Sequence, residues 1–362
     1  MMRKKMLGGV AAFILIACSV VASTSIGDDG GPIIYENYRD RSGLVHRAAI
    51  YLPPGFSQSR EYPAIVICGG WTGSLEGMSP IARHVASWEY IAMVVEPTAE
   101  STYVAGILLG GLSSKWVHDV QDGITYLLES SSVKDQVDEN RIGLVGHSLG
   151  GITATRLMII DKRIRAVLTL SGVDPLAVRR EHPPLLMMTG DYDLEFWDEL
   201  GILPGYRMAL PLKGLIVVRG GTHGGYFDEG VPSLQFGHTT PFGWYDEALF
   251  DQSAVFDWYG EAWFDYWLSG EENALDRLFT PLPTLSQFHL SRYDFGEGSE
   301  NVTPESMCDG SGWADWIEMS LGGSGHRLIE RIPQDILLGT IWGIAYVDAL
   351  LRYIKDYPQT LI

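Results

Sequence analysis

Apolar residues fall along this chain in short unbroken blocks, separated by stretches with a helical period. Residues 64–68 (Ala-Ile-Val-Ile-Cys), 91–95, 166–170, 185–188 and 215–218 contain almost no polar position. Blocks of that length without alternation fit strands buried on both faces. Between them, residues 81–88 and 116–128 carry apolar side chains at helical spacing, and Val120, Ile124 and Leu127 share one face. Residues 254–268 read as an amphipathic helix dense in aromatics. Strands alternating with helices predict an α/β fold, a mostly parallel doubly wound sheet with helices on both faces. Residues 33–38 and 44–52 also read as strands, but only 39–43 join them. That link is too short for a parallel crossover, so this edge is expected to be antiparallel.

The pattern weakens at both ends. Residues 23–32 are rich in Gly and Asp and read as a flexible lead-in, and 101–114 form a Gly-rich apolar stretch with no period. After Pro281 the alternation stops. Residues 282–312 are turn-rich, and 336–353 read as a helix that is apolar nearly all round apart from Asp348 and Arg352. An internal aspartate favours a packed helix over a membrane span. The expected organisation is a main domain over 33–280 and a C-terminal helical appendage over 281–362.

The N-terminus reads as a targeting segment over 1–22. Arg3, Lys4 and Lys5 precede an apolar run over 7–21 that is short for a membrane span. Processing before Ser23 is one reading. Lipidation at Cys18, with the signal ending at 17, is the other, and an uncleaved anchor is the remaining alternative. The expectation is therefore an exported protein, periplasmic, secreted or lipid-anchored. Export implies an oxidising compartment, yet Cys68 and Cys308 are the only cysteines beyond Cys18. Cys68 ends an apolar block and reads as a buried thiol, with a bridge to Cys308 as the alternative.

With 362 residues, 46% hydrophobic and 20% charged, the chain can bury a large core. Its formal charge of -19 argues against nucleic acid as a partner and against docking on an anionic membrane. Contact with a membrane is expected only through the N-terminal signal or its lipid.

One block carries chemistry. Residues 141–147 run as a short strand into Gly146-His147-Ser148-Leu149-Gly150-Gly151, and 152–160 continue with helical spacing. Gly-x-Ser-x-Gly between strand and helix is the pattern of a nucleophile elbow, a tight turn that raises a serine above the sheet edge. A serine hydroxyl needs a base, and the base needs a group to orient it. In a doubly wound sheet both come from loops after later strands. Block 185–188 is followed by Thr189-Gly190-Asp191-Tyr192-Asp193, where Asp193 is preferred as the orienting acid and Asp191 is the alternative. Block 215–218 is followed by Arg219-Gly220-Gly221-Thr222-His223-Gly224-Gly225, which makes His223 the base. His147 lies inside the elbow, His238 in an aromatic stretch, and His84 and His118 on expected helices. An oxyanion formed at the serine needs preorganised donors. The N–H of Leu149 is one, and the N–H of Trp71 in Gly69-Gly70-Trp71 is the other, with Gly70 as alternative.

The order Ser148, Asp193, His223 resembles the α/β-hydrolase superfamily, and the likeness spans roughly residues 33–278. Tyr51-Leu52-Pro53-Pro54-Gly55-Phe56 looks like the dienelactone-hydrolase-like and platelet-activating-factor-acetylhydrolase-like branches. Gly70-Trp71-Thr72-Gly73 is similar to the oxyanion loop of bacterial cutinases and related polyester hydrolases. The resemblance implies an α/β-hydrolase fold and a serine esterase needing neither metal nor organic cofactor. It also implies that Trp71 both donates to the oxyanion and clamps the ester.

Aromatic residues crowd 226–245, and Phe196 and Trp197 follow the acid. Trp71, His147, Phe196, Trp197 and Tyr226 are the expected substrate-binding residues, suited to a small-molecule or lipid-like ester. A satellite hydrophobic cluster is the competing reading of the aromatic stretch. A serine peptidase of the prolyl-oligopeptidase type, and an inactive surface protein on a hydrolase fold, are the competing functional readings.

Overall fold

A computed structural model of the chain describes residues 23–26, 31–70, 73–96, 114–191, 193, 202–227 and 252–290. Ten strands form one sheet in the order β1-β2-β3-β5-β4-β6-β7-β8-β9-β10. They are β1 (Ser23–Ile26), β2 (Pro32–Arg39), β3 (Val45–Tyr51), β4 (Tyr62–Cys68), β5 (Ile91–Val95), β6 (Val137–His147), β7 (Ile164–Leu170), β8 (Leu185–Gly190), β9 (Lys213–Val218) and β10 (Leu285–His289). From β5 through β4, β6, β7 and β8 to β9, every neighbouring pair is parallel. The pairs β1–β2, β2–β3, β3–β5 and β9–β10 are antiparallel. The antiparallel edge expected from the short 39–43 link is therefore present, with Tyr35 opposite Ala49.

The apolar blocks became central strands because both of their faces are covered. In β4, Ile65 and Ile67 face one apolar layer, while Ala64, Val66 and Cys68 face the other. This is the period of two expected of a pleated strand. Helices α1 (Ser79–Ser87) and α5 (Gln252–Phe264) supply Ile81, Val85, Phe256 and Trp263 to the first layer. Helices α2 (Ser114–Glu129) and α3 (Leu149–Ile160) supply Val120, Ile124, Leu127, Ala154 and Leu157 to the second. The predicted face Val120, Ile124, Leu127 is the buried one. A short helix α4 (Leu203–Met208) lies before β9. Helix α5 runs into a π-helical turn, Asp265–Ser269, and is stopped by Gly270 in the left-handed conformation. A further short helix α6 (Ala274–Leu278) precedes β10. Among the described residues no helix is long and apolar enough to cross a membrane.

Two strands depart from expectation. Residues 23–26, read as lead-in, pair with β2. Residues 285–289, read as turn-rich, pair with β9, so the sheet runs past residue 280. Both are outermost strands of the sheet, and in β10 Leu285 is buried while Ser286 and Gln287 are exposed. The expected signal 1–22, the stretch 101–113, Cys308 and the helix 336–353 lie outside the described residues.

The strand order fixes where a site can form. The chain leaves β4 for β5 on one side, then crosses back over β4 to β6 on the other. A crevice opens at the carboxyl ends of strands where the winding reverses. Here those ends are Cys68 of β4 and His147 of β6, paired through Cys68 and Gly146.

Candidate active site

Ser148 sits between β6 and α3 with φ 57° and ψ -123°. A side chain other than glycine is strained there. What holds it is close packing on every side. Its N–H donates to the carbonyl of Leu170 in β7 at 2.8 Å, and its carbonyl accepts from Gly151 at 2.9 Å. Gly150 has no room for a side chain, because a Cβ there would overlap the carbonyls of Cys68 and Gly69. The turn can form only if helix α3 passes this close to β4. Leu149 opens α3, so its N–H has no carbonyl one turn back and points out of the helix start.

The loop after β4 folds against the same serine. A Cβ placed on Gly70 would stand 2.6 Å from Ser148 Cβ and 3.1 Å from its Oγ. The N–H of Gly73 donates to the Gly70 carbonyl at 3.0 Å. Trp71 lies outside the described residues, as do Phe196 and Trp197.

The two carboxylates after β8 take different tasks. Asp191 accepts the N–H of Gly220, and its own N–H donates to the Val218 carbonyl at 3.0 Å. It therefore ties the loop after β8 to the loop after β9. Asp193 turns inward, with its N–H on the Gly190 carbonyl at 3.1 Å. Its Oδ1 lies 2.8 Å from Nδ1 of His223, and its Oδ2 accepts the hydroxyl of Thr189 at 3.1 Å. Asp193 is buried and His223 is only slightly exposed. A carboxylate can only accept, so His223 donates through Nδ1 and keeps Nε2 as its basic nitrogen.

The side chain of His147 meets His223 rather than an open pocket. It is 1% exposed. Its Nε2 lies 2.8 Å from the His223 carbonyl, and the two rings are 4.9 Å apart. Burial, reinforced by the nearby His223, pushes its pKa down to about 3. Phe227 meets the His147 ring in a T-shaped contact at 5.0 Å. Tyr226 is likewise fully buried, in the layer shared with α1 and α5. Both residues were expected to touch substrate, and both are buried.

Two residues here were not singled out by sequence. Gln252, the first residue of α5, accepts the Thr222 N–H at 2.9 Å and donates to the Thr222 carbonyl at 3.1 Å. Thr189 steadies Asp193. Each is a polar residue at the end of an apolar element, and no short-range pattern separates such a residue from a solvated one.

A second polar cluster lies beyond the carboxyl end of β5, where His46 meets the Glu96 carbonyl. Asp40, His46 and Asp119 are buried with their ligand atoms within 4.8 Å of one another. They could hold a divalent cation only by displacing Lys115, whose ammonium stands 3.5 Å from Asp40 and 3.3 Å from Asp119. Both ring nitrogens of His46 face oxygen acceptors, Asp40 at 3.1 Å and the Glu96 carbonyl at 3.3 Å. The cluster joins β3, the turn before it and α2 as an internal ion network.

Cys68 is buried, and its thiol donates to the Gly150 carbonyl at 3.2 Å. Burial pushes it up to about 12, so it is held as an unreactive thiol. No protein-family model matches the chain, and no curated protein is significantly similar to it.

Proposed function

We propose that this chain is an exported serine hydrolase of the α/β-hydrolase type that cleaves carboxylic esters through an acyl-enzyme on Ser148. The observation that carries the reading is the 2.8 Å contact between His223 and Asp193, at the sheet edge where Ser148 is held at φ 57°. Around it stand the Leu149 N–H and the Gly70 loop. The sequence order of the three residues and the N-terminal targeting pattern add to it.

In this scheme Nε2 of His223 takes the Ser148 proton as Oγ bonds the ester carbonyl carbon. The carbonyl electrons move to oxygen, and the N–H groups of Leu149 and of Trp71 or Gly70 hold the resulting charge. The charge collapses, the carbon–oxygen bond to the alcohol breaks, and His223 gives its proton to the leaving oxygen. Water then attacks the acyl group, passing a proton to His223 and so back to Ser148. Asp193 keeps His223 in the tautomer that each step needs. Neither metal nor organic cofactor takes part. Trp71, Phe196 and Trp197 suit an apolar, lipid-like ester.

The test is turnover of p-nitrophenyl esters of increasing acyl length beside peptide amides, with fluorophosphonate labelling of wild type and Ser148→Ala. Ester turnover with labelling that vanishes in Ser148→Ala is expected. Undiminished hydrolysis in Ser148→Ala would overturn the assignment, and preferential amide cleavage would move it to peptidases.

A further inference from the structure

We propose that His147 and Gln252 are positioning residues that together hold the backbone of His223, so that the base is aimed by two buried side chains which touch no substrate. The inference rests on the serine-hydrolase reading and goes beyond it by naming what fixes the base.

Four backbone groups at the histidine loop are taken by side chains, the Gly220 N–H by Asp191 and three at Thr222 and His223. Gln252 uses both ends of its amide on Thr222, accepting its N–H at 2.9 Å and donating to its carbonyl at 3.1 Å. This is the pairing a neighbouring strand would make, supplied here by one side chain from the start of α5. His147 then takes the next carbonyl, that of His223, at 2.8 Å. Gln252 and His147 are each 1% exposed, and Thr222 is 2% exposed. Bonds made inside such a dry site are not in competition with water.

The loop needs such holding. It is Gly220-Gly221-Thr222-His223-Gly224-Gly225, with Gly220 at φ 65°. Four glycines around one histidine make the backbone permissive, and turn bonds from Gly221 to Val218 and from Gly225 to Thr222 leave the Thr222 N–H and the His223 carbonyl for side chains to hold. Asp193 restrains only the ring, through Nδ1.

The chemistry of His147 suits the task. The His223 carbonyl can only accept, so His147 donates through Nε2 and leaves Nδ1 as acceptor. That Nδ1 is buried without a hydrogen-bond partner. The ring is kept neutral by burial, with its pKa at about 3. A cationic donor in its place would stand beside the imidazolium that forms on His223 and disfavour it. A neutral donor holds the carbonyl without that penalty.

The test uses the full chain with His147→Phe, which keeps an aromatic but removes the donor, His147→Gln, which restores an N–H, Gln252→Leu, and the Phe/Leu double variant. A displaced base costs rate rather than binding, so kcat is expected to fall about tenfold to a hundredfold in His147→Phe and in Gln252→Leu, with KM nearly unchanged. His147→Gln should recover most of the loss. The double variant should lose less than the product of the two single losses, since both hold one loop. The fluorophosphonate labelling rate should fall with kcat, and amide exchange in a peptide covering 219–227 should quicken. Single variants within about twofold of wild-type kcat and unchanged in exchange would overturn the proposal. If His147→Phe does not fold, Gln252→Leu and the exchange measurement decide it. Wild type that never labels would sink the hydrolase reading alone, and the exchange data would still judge whether these side chains hold the loop.

Discussion

Thr189 gives its hydroxyl to Oδ2 of Asp193, the carboxylate oxygen that His223 does not use. The two bonds together fix the rotation of the carboxylate. Thr189 is fully buried in β8, so its hydroxyl has no water to turn to. Thr189→Val keeps the shape and removes the donor. Losing one bond to a buried charged acceptor costs about 1–3 kcal/mol. We expect a lower urea midpoint, and kcat lowered about tenfold if the carboxylate turns away from His223. Unfolding curves and steady-state kinetics check the two effects separately.

Gly70 stands directly against Ser148. Its missing side chain leaves the Ser148 hydroxyl its space, since a Cβ would lie 2.6 Å from Ser148 Cβ. Gly70→Ala must shift either the serine or the loop proposed to carry an oxyanion donor. A displacement of about 1 Å near the reacting atoms is enough to cost about a hundredfold in rate. The expected variant folds with an unchanged circular dichroism spectrum and is nearly inactive. Full turnover in Gly70→Ala would show that this loop yields easily.

One buried and one half-buried group set opposite slopes in the pH dependence of stability. An unfolded histidine takes its proton near 6.5, while native His147 refuses one until about 3. Its neutral form therefore contributes stability above about pH 6.5 that is lost as pH falls towards 3, by up to about 1.4 kcal/mol per pH unit. Asp265 runs the other way, because burial pushes it up from 3.8 to about 6, against the lowering effect of the Tyr90 hydroxyl. Its protonated form contributes stability below 3.8 that is lost as pH rises through about 6. Asp265→Asn should thus stabilise the protein at neutral pH, by about 1–2 kcal/mol once solvent screening is allowed for, and do little near pH 4. His147→Gln should flatten the acid side. Urea titrations across this range separate the two.

Lys115 balances the Asp40–His46–Asp119 network. Lys115→Met leaves two buried carboxylates with less compensation, and removing one partner of a buried ion network is destabilising by several kcal/mol. Lys115 is itself 30% exposed, so we expect about 1–3 kcal/mol, read as a lower melting temperature. Added zinc should leave the wild-type melting temperature unchanged, since the ammonium occupies the cation's place. A rise would reveal that the three ligands open to a metal.

The central strands were legible because burial on both faces leaves the same mark in any such strand, an apolar block without alternation. The elbow was legible because its turn admits so few residue types. Strands β1 and β10 were not, since Ser23-Thr24-Ser25-Ile26 and Leu285-Ser286-Gln287-Phe288-His289 look like loop composition and become strands only through their neighbours. Asp193 could be preferred over Asp191 from the loop, but the division between them came from contacts with Gly220 and His223, each about thirty residues away. The burial of His147 and Tyr226 was not legible, for one reason. Aromatic rings near a site in sequence can point into the core, and local pattern does not say which way they turn. Gln252 left no local signal at all, because its partner lies thirty positions earlier.

That distant partnership has an evolutionary consequence. Position 252 is fastened to Thr222 by both ends of the Gln252 amide. Lengthening a chain between two fixed points costs little, about 0.6 kcal/mol for each doubling. Insertions, deletions and substitutions between positions 227 and 252 are therefore expected to leave His223 where it is. That part of the sequence can vary without moving the proposed base.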